Sequence, residues 1–138
     1  MIILDTNVLS ALMQDVPESK VVGWVDRQPQ GSIWTTAITV LEIQAGLRLI
    51  PMEAERAEAS EKFERLLDSI YHRIAVFGEE AARVSANLAA EQQKKGHAGD
   101  MRDCLIAGIV LAHNATLATR RVTYFSDIAA RVVNPWAA

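Results

Sequence analysis

The chain has 138 residues, half of them hydrophobic, with 17 acidic and 14 basic side chains and a formal net charge of −3. That length suits one domain, spanning 1–138, with a substantial core, and the composition excludes a disordered chain. The acidic balance excludes a surface that attracts nucleic acid everywhere, the single Cys104 excludes an internal disulfide, and no apolar run has the roughly 18 residues of a membrane span.

The first residues carry no basic segment ahead of a long apolar one, so no secretory signal is expected and a reducing cytosol is the expected compartment. Residues 1–5 predict a short buried strand, followed by a helix over Thr6–Met13. Pro17 starts a second helical stretch that ends at the Gln28-Pro29-Gln30-Gly31 turn. Ser32–Thr36 is β-prone, and a helix is expected from Ala37 to Ile50. From Met52 to Ile70 a helical stripe runs through Phe63, Leu66, Leu67 and Ile70. Arg73–Val76 predicts a third strand, Glu79–Lys95 a helix closed by Gly96, His97, Ala98 and Gly99, and Met101–His113 an apolar core helix. Ala115–Ala118 and Arg131–Val133 predict the last two strands. Strands alternating with helices indicate a three-layer α/β/α fold on a mostly parallel sheet of four to five strands.

Three carboxylates break the apolar pattern. Asp5 ends the first strand, where ligands of such sheets bind, although an N-cap on the next helix also explains an Asp there. Glu42, in TAITVLEIQAGL, shares a helix face with Ile38, Ala45, Gly46 and Leu49, which predicts a carboxylate on the core stripe; a salt bridge to an arginine is the plainer account. Asp103, in GDMRDCLIAGIVLA, opens a helix with hardly any wet face, and Asp100 one turn earlier suits a helix N-terminus. Three acids on distant segments are explained together if they share a divalent cation. Hard oxygen donors without a Cys/His pair favour Mg²⁺ or Mn²⁺, which lowers the pKa of a bound water and neutralises a phosphoryl group.

LDTNVLSAL, TTAITVLEIQAGL, DCLIAG and ATLATR, in this order and spacing, together with the final VVNPW, resemble the PIN-domain ribonucleases, most nearly the VapC/FitB-type toxins and proteins of plasmid stability. The resemblance covers nearly the whole chain. It implies Mg²⁺- or Mn²⁺-dependent endonucleolytic cleavage of RNA, a homodimer, and inhibition by a small antitoxin whose tail enters the acidic groove. Asp5, Glu42 and Asp103 fall on the family's acids, Thr6 and Asn7 on positions that support the acids or hold water, and Thr119 on the hydroxyl residue after the fourth strand. One departure stands out. After ATLATR the family usually has Asn or Asp, and some members have an acid three residues on; here these are Arg121 and Tyr124. Asp127 and Asp100 are the candidate substitutes for the missing acid, and Arg121 is a candidate to bind phosphate or pair with an acid.

Local cations for a nucleic acid are Arg120 with Arg121, and Lys94, Lys95, His97 and Arg102. His72, His97 and His113 lack metal-ligand spacing, Cys104 reads as a buried thiol, and Trp24, Trp34 and Trp136 as core or interface anchors. Two functions follow: a ribonuclease toxin, or a catalytically weak module that binds an antitoxin and represses its own promoter, which the Arg121 departure favours. A phosphatase or receiver domain fits poorly, because Asn7 stands where a second Asp is needed and no Lys follows Lys95.

Overall fold

A computed structural model describes residues 1–96, 99–128 and 131–138. The expected helix closure at His97 and Ala98, and His97 as a patch cation, lie outside the described residues.

The sheet is built from short, apolar strands: β1 (Ile2–Leu4), β2 (Ile33–Thr36), β3 (Ile74–Ala75), β4 (Thr116–Ala118) and β5 (Val132–Val133). Their order is β3-β2-β1-β4-β5 and every pairing is parallel, with Ile3 opposite both Trp34 and Leu117. The chain thus grows outward from β1 in one direction through β2 and β3, then returns to its other side for β4 and β5. Between β1 and β4 the direction reverses, and it is outside the carboxyl ends at such a point that parallel sheets bind ligands.

Seven helices accompany the strands among the described residues: α1 (Thr6–Leu12), α2 (Ser19–Asp26), α3 (Ala37–Arg48), α4 (Glu53–Ser69), α5 (Glu79–Lys94), α6 (Met101–Ala112) and α7 (Val122–Ser126). Alternation along the strands sends neighbouring side chains to opposite faces. Ile3 and Leu117 meet Ile106, Ile109, Val110 and Phe125 from α6 and α7, whereas Leu4 and Ala118 meet Val8, Val21, Ile43, Phe63 and Leu67 from α1–α4. Two apolar layers flank one sheet, as the alternating pattern predicted. Of the expected α4 stripe, Phe63, Leu67 and Ile70 are buried and Leu66 is partly buried against the same core.

Helix α7 was not anticipated. It has five residues and no side-chain cap at Arg121, so it lacks both the length and the start signal that mark a helix in sequence. Among the described residues, no helix is long and apolar enough to cross a membrane.

Candidate active site

Asp5 follows β1 directly, and its backbone N–H donates to the Ala118 carbonyl of β4 at 2.9 Å, so it stands between the two strands that flank the reversal. Its side chain is an N-cap, as the plainer reading held: Oδ1 accepts the Thr6 N–H at 2.8 Å. That bond leaves Oδ2, which accepts from the Thr119 hydroxyl at 2.7 Å and from the Asn7 amide at 3.0 Å. The residue is only 3% exposed, and no lysine or arginine lies within ion-pairing distance of it among the described residues. Burial therefore pushes its carboxyl above the ordinary value, and the negative charge of Asp103 adds to the push. Hydrogen bonds from Thr119 and Thr6 and the charge of Arg121 pull the other way without prevailing.

Thr119 sits just past β4 and is fully buried. Its hydroxyl gives its one proton to Asp5 and accepts from Asn7 Nδ2 at 3.2 Å and the Arg121 N–H at 3.1 Å. Asn7 also accepts the Arg120 N–H on its Oδ1 at 3.1 Å. One amide and one hydroxyl thus lock the loop after β4 onto Asp5.

Glu42 is not where the sequence pattern put it. The buried side of α3 is Ile38, Thr39, Ile43 and Leu47, whereas Ala45 and Gly46 are exposed and Leu49 is 82% exposed. Glu42 lies on the border, partly buried. The stripe is rotated because Thr39, polar in sequence, is fully buried with its hydrogen bonds satisfied. Thr36 caps α3, its hydroxyl donating to Thr39 at 3.3 Å; Thr39 lies 3.1 Å from the Thr6 hydroxyl, and Thr6 donates to Glu42 Oε1 at 3.0 Å. A hydroxyl has one proton, so the relay runs from Thr36 through Thr39 and Thr6 to the carboxylate. The other oxygen, Oε2, pairs with Arg102 Nη1 at 3.6 Å. The salt bridge weighed as the plainer account is present.

Asp103 is buried in the first turn of α6 and accepts from Arg121 Nη1 at 2.8 Å. The same guanidinium lies over the Tyr124 ring at 4.6 Å and 5.7 Å from the Phe125 ring. Asp100 is the exposed N-cap of α6, accepting the Arg102 N–H at 2.9 Å and pairing with its guanidinium at 3.0 Å, contacts that hold its carboxyl below the usual range. Asp127 is exposed at the C-terminal cap of α7 and shares no hydrogen bond or ion pair with a site residue among those described. Arg120 is exposed, with its guanidinium 4.7 Å over the Trp136 ring and no carboxylate partner among the described residues.

The remaining candidates are placed plainly. His72 pairs with Asp68 on the surface and His113 caps the C-terminus of α6. Cys104 is buried, its thiol donating to the Ser85 carbonyl. Lys94 and Lys95 are exposed.

The PIN-domain family model matches residues 2–129. The chain belongs to the PIN-domain family. Within it the chain stands with the VapC/FitB-type toxins. It is 34% identical to the plasmid stability protein StbB of Pseudomonas syringae pv. tomato over the full length of both. It is 33% identical to the VapC ribonuclease Y4jK of Sinorhizobium fredii, covering 99% of this chain and 98% of that one. The crystal structure of FitAcB from Neisseria gonorrhoeae superposes with a TM-score of 0.86 at 31% identity, over all of both chains.

Three oxygen-donor acids, brought together, would suit a hard divalent cation. Donor type and charge fit one: Asp5 is buried without a cationic partner, and the other two acids already draw guanidinium groups. Placement is tighter. Among the described residues no three acidic, His or Cys side chains stand together as a ligand set, because Asp103 is turned to Arg121 and Glu42 to Thr6 and Arg102.

Sequence reading missed Thr39 and Thr36 as supports of Glu42, and Trp136 as the platform under Arg120. The Thr-x-x-Thr spacing at a strand-to-helix junction is a legible cap signal for the first pair. Nothing in the sequence pairs positions 120 and 136.

Proposed function

We propose that this PIN domain, acting as one unit over 1–138, is a metal-dependent endoribonuclease and the toxin of a toxin–antitoxin pair. One observation carries the reading: a buried carboxylate, Asp5, with no ion-pair partner among the described residues, at the reversal point of the sheet, within reach of the charge of Asp103 and next in sequence to Thr6, which donates to Glu42. The names of relatives at 33–34% identity, a VapC ribonuclease and a plasmid stability protein, support it.

Asp5, Glu42 and Asp103 would hold Mg²⁺ or Mn²⁺. Once bound, such an ion lowers the pKa of water and neutralises charge on a phosphodiester. The chain supplies the rest. Thr119 and Asn7 hold Asp5 in one rotamer, and Thr6 aims Glu42. Arg120 places a fixed positive charge at the rim for an RNA phosphate. Thr119, being buried and acting as a donor, supports Asp5 instead of touching RNA. A small antitoxin as partner and a homodimer belong to the same reading, with a cytoplasmic setting.

The test is cleavage of a structured RNA pool with Mn²⁺, with Mg²⁺ and with EDTA, beside Asp5→Asn. Metal-dependent cleavage that falls to background in the variant is the expected outcome. Cleavage by Asp5→Asn at the parental rate would sink the assignment.

A second reading has its own observation. Arg121 already neutralises Asp103, which suits a pocket that mainly holds an antitoxin and serves promoter autoregulation. Tight antitoxin binding by a folded protein that cuts no RNA with either metal would favour it.

A further inference from the structure

Among the ion pairs of the described residues, Arg121–Asp103 has the most buried carboxylate. Two of the others, Arg65–Glu61 and Arg83–Glu79, join exposed residues four apart on one helix and contribute little. Arg121 instead reaches from the loop after β4 to a carboxylate that is 10% exposed on another helix, at a near-ideal 2.8 Å. Three further contacts hold it there. Its backbone N–H is tied to Thr119, the residue that supports Asp5, and its guanidinium lies over Tyr124 and near the buried Phe125. Its own side chain is 47% exposed, so a path to solvent is open when the pair breaks.

The geometry points to Arg121 as a built-in counter-ion that occupies Asp103 and competes with a divalent cation for it. This rests on the metal-dependent reading above. Asp103 offers the same carboxylate oxygens to a guanidinium or to a metal, and the two cations cannot both take them at full strength. Without metal, the guanidinium supplies the positive charge that Asp103 faces at 2.8 Å. With metal, that contact must be given up before Asp103 binds the ion. The site therefore loads only at a higher divalent concentration than its three acids alone would need. Arg121 sets that threshold. The residue stands where the resemblance leads one to expect Asn or Asp, so the threshold is a property of this chain's own sequence.

The test is Mn²⁺ titration by isothermal calorimetry on metal-stripped full-length protein, comparing the parental chain with Arg121→Gln, Arg121→Lys and Asp5→Asn. Charge-assisted hydrogen bonds are about twice as strong as neutral ones, so removing this one should tighten Mn²⁺ binding by about tenfold in Arg121→Gln. Arg121→Lys keeps the charge but loses the planar fork and the stacking, and should fall between. If Arg121→Gln does not fold, as circular dichroism would show, Lys at 121 decides: tighter binding than the parent supports the counter-ion, equal or weaker binding overturns it. Equal or weaker binding by a folded Arg121→Gln overturns it likewise. Mn²⁺ binding by the parent that Asp5→Asn abolishes keeps the metal reading intact in either case. No binding by any variant removes the metal reading, and the counter-ion with it.

Discussion

Asp5 carries two jobs that pull against each other. As an N-cap it accepts one N–H of α1, an arrangement worth about 1 kcal/mol. As a buried carboxylate it loses hydration, which raises its proton affinity above that of an ordinary aspartate. The pH dependence follows from proton counts. Below the unfolded value both states hold the proton, and the contribution of Asp5 to stability is fully present. As pH rises past it, the unfolded chain releases a proton that the folded chain retains, so the unfolded state binds fewer and stability falls. The loss is complete once pH has passed the raised folded value. Urea unfolding in EDTA, from acid to neutral pH, should show the parental chain losing stability relative to Asp5→Asn as pH rises. A difference that grows in the opposite direction would mean that the hydrogen bonds from Thr119, Thr6 and Asn7 outweigh burial. Asp100 behaves oppositely, because Arg102 holds its carboxyl low, and comparison with the single variant cancels its effect.

Asp103 is positioned by how α6 docks as well as by its own sequence. Ser85 on α5 donates to the Cys104 carbonyl at 3.1 Å, and the Cys104 thiol donates back to the Ser85 carbonyl at 3.3 Å. One turn further on, Gly108 allows the close approach: a methyl there would overlap the Ser85 hydroxyl and come within 2.8 Å of the Ala81 carbonyl oxygen. The neighbour is backbone, which has little room to yield. Gly108→Ala should lower stability by about 1–3 kcal/mol, read from urea unfolding, despite the better helix propensity of alanine. An unchanged midpoint would mean that α5 moves away at no cost. The helix itself was legible as an apolar run from residue 101. Its closeness to α5 was not, since a glycine inside a helical pattern does not name the element that crosses it.

On the proposed function, the charge of −3 means that an RNA would have to be drawn by a few local cations. Of the arginines the sequence offered, Arg102 is taken by Asp100 and Glu42, and Arg121 by Asp103. Arg120 has no carboxylate partner among the described residues and lies over the Trp136 ring. The salt dependence of single-stranded RNA binding, measured in EDTA, should therefore lose about 0.7 of its logarithmic slope in Arg120→Ala. The fold should be unaffected, because the side chain is exposed. An unchanged slope would remove Arg120 from the substrate path.

Local periodicity determined much of this protein before any coordinates. Short apolar runs separated by helical stretches dictate a parallel sheet covered on both faces, and a carboxylate ending such a run, as at Asp5, marks a ligand-binding end. Side-chain period is a property of neighbouring residues, so it survives in the sequence. Glu42 shows where that stops: its face was misread because burial of Thr39 depends on hydroxyl partners from α1 and β2, not on its polarity. Only the tertiary structure decided which arginine meets which acid, that α7 exists to carry Tyr124 and Phe125 under Arg121, and that Trp136 supports Arg120. These contacts join residues that strand order brings together, and strand order is set by packing across the whole sheet.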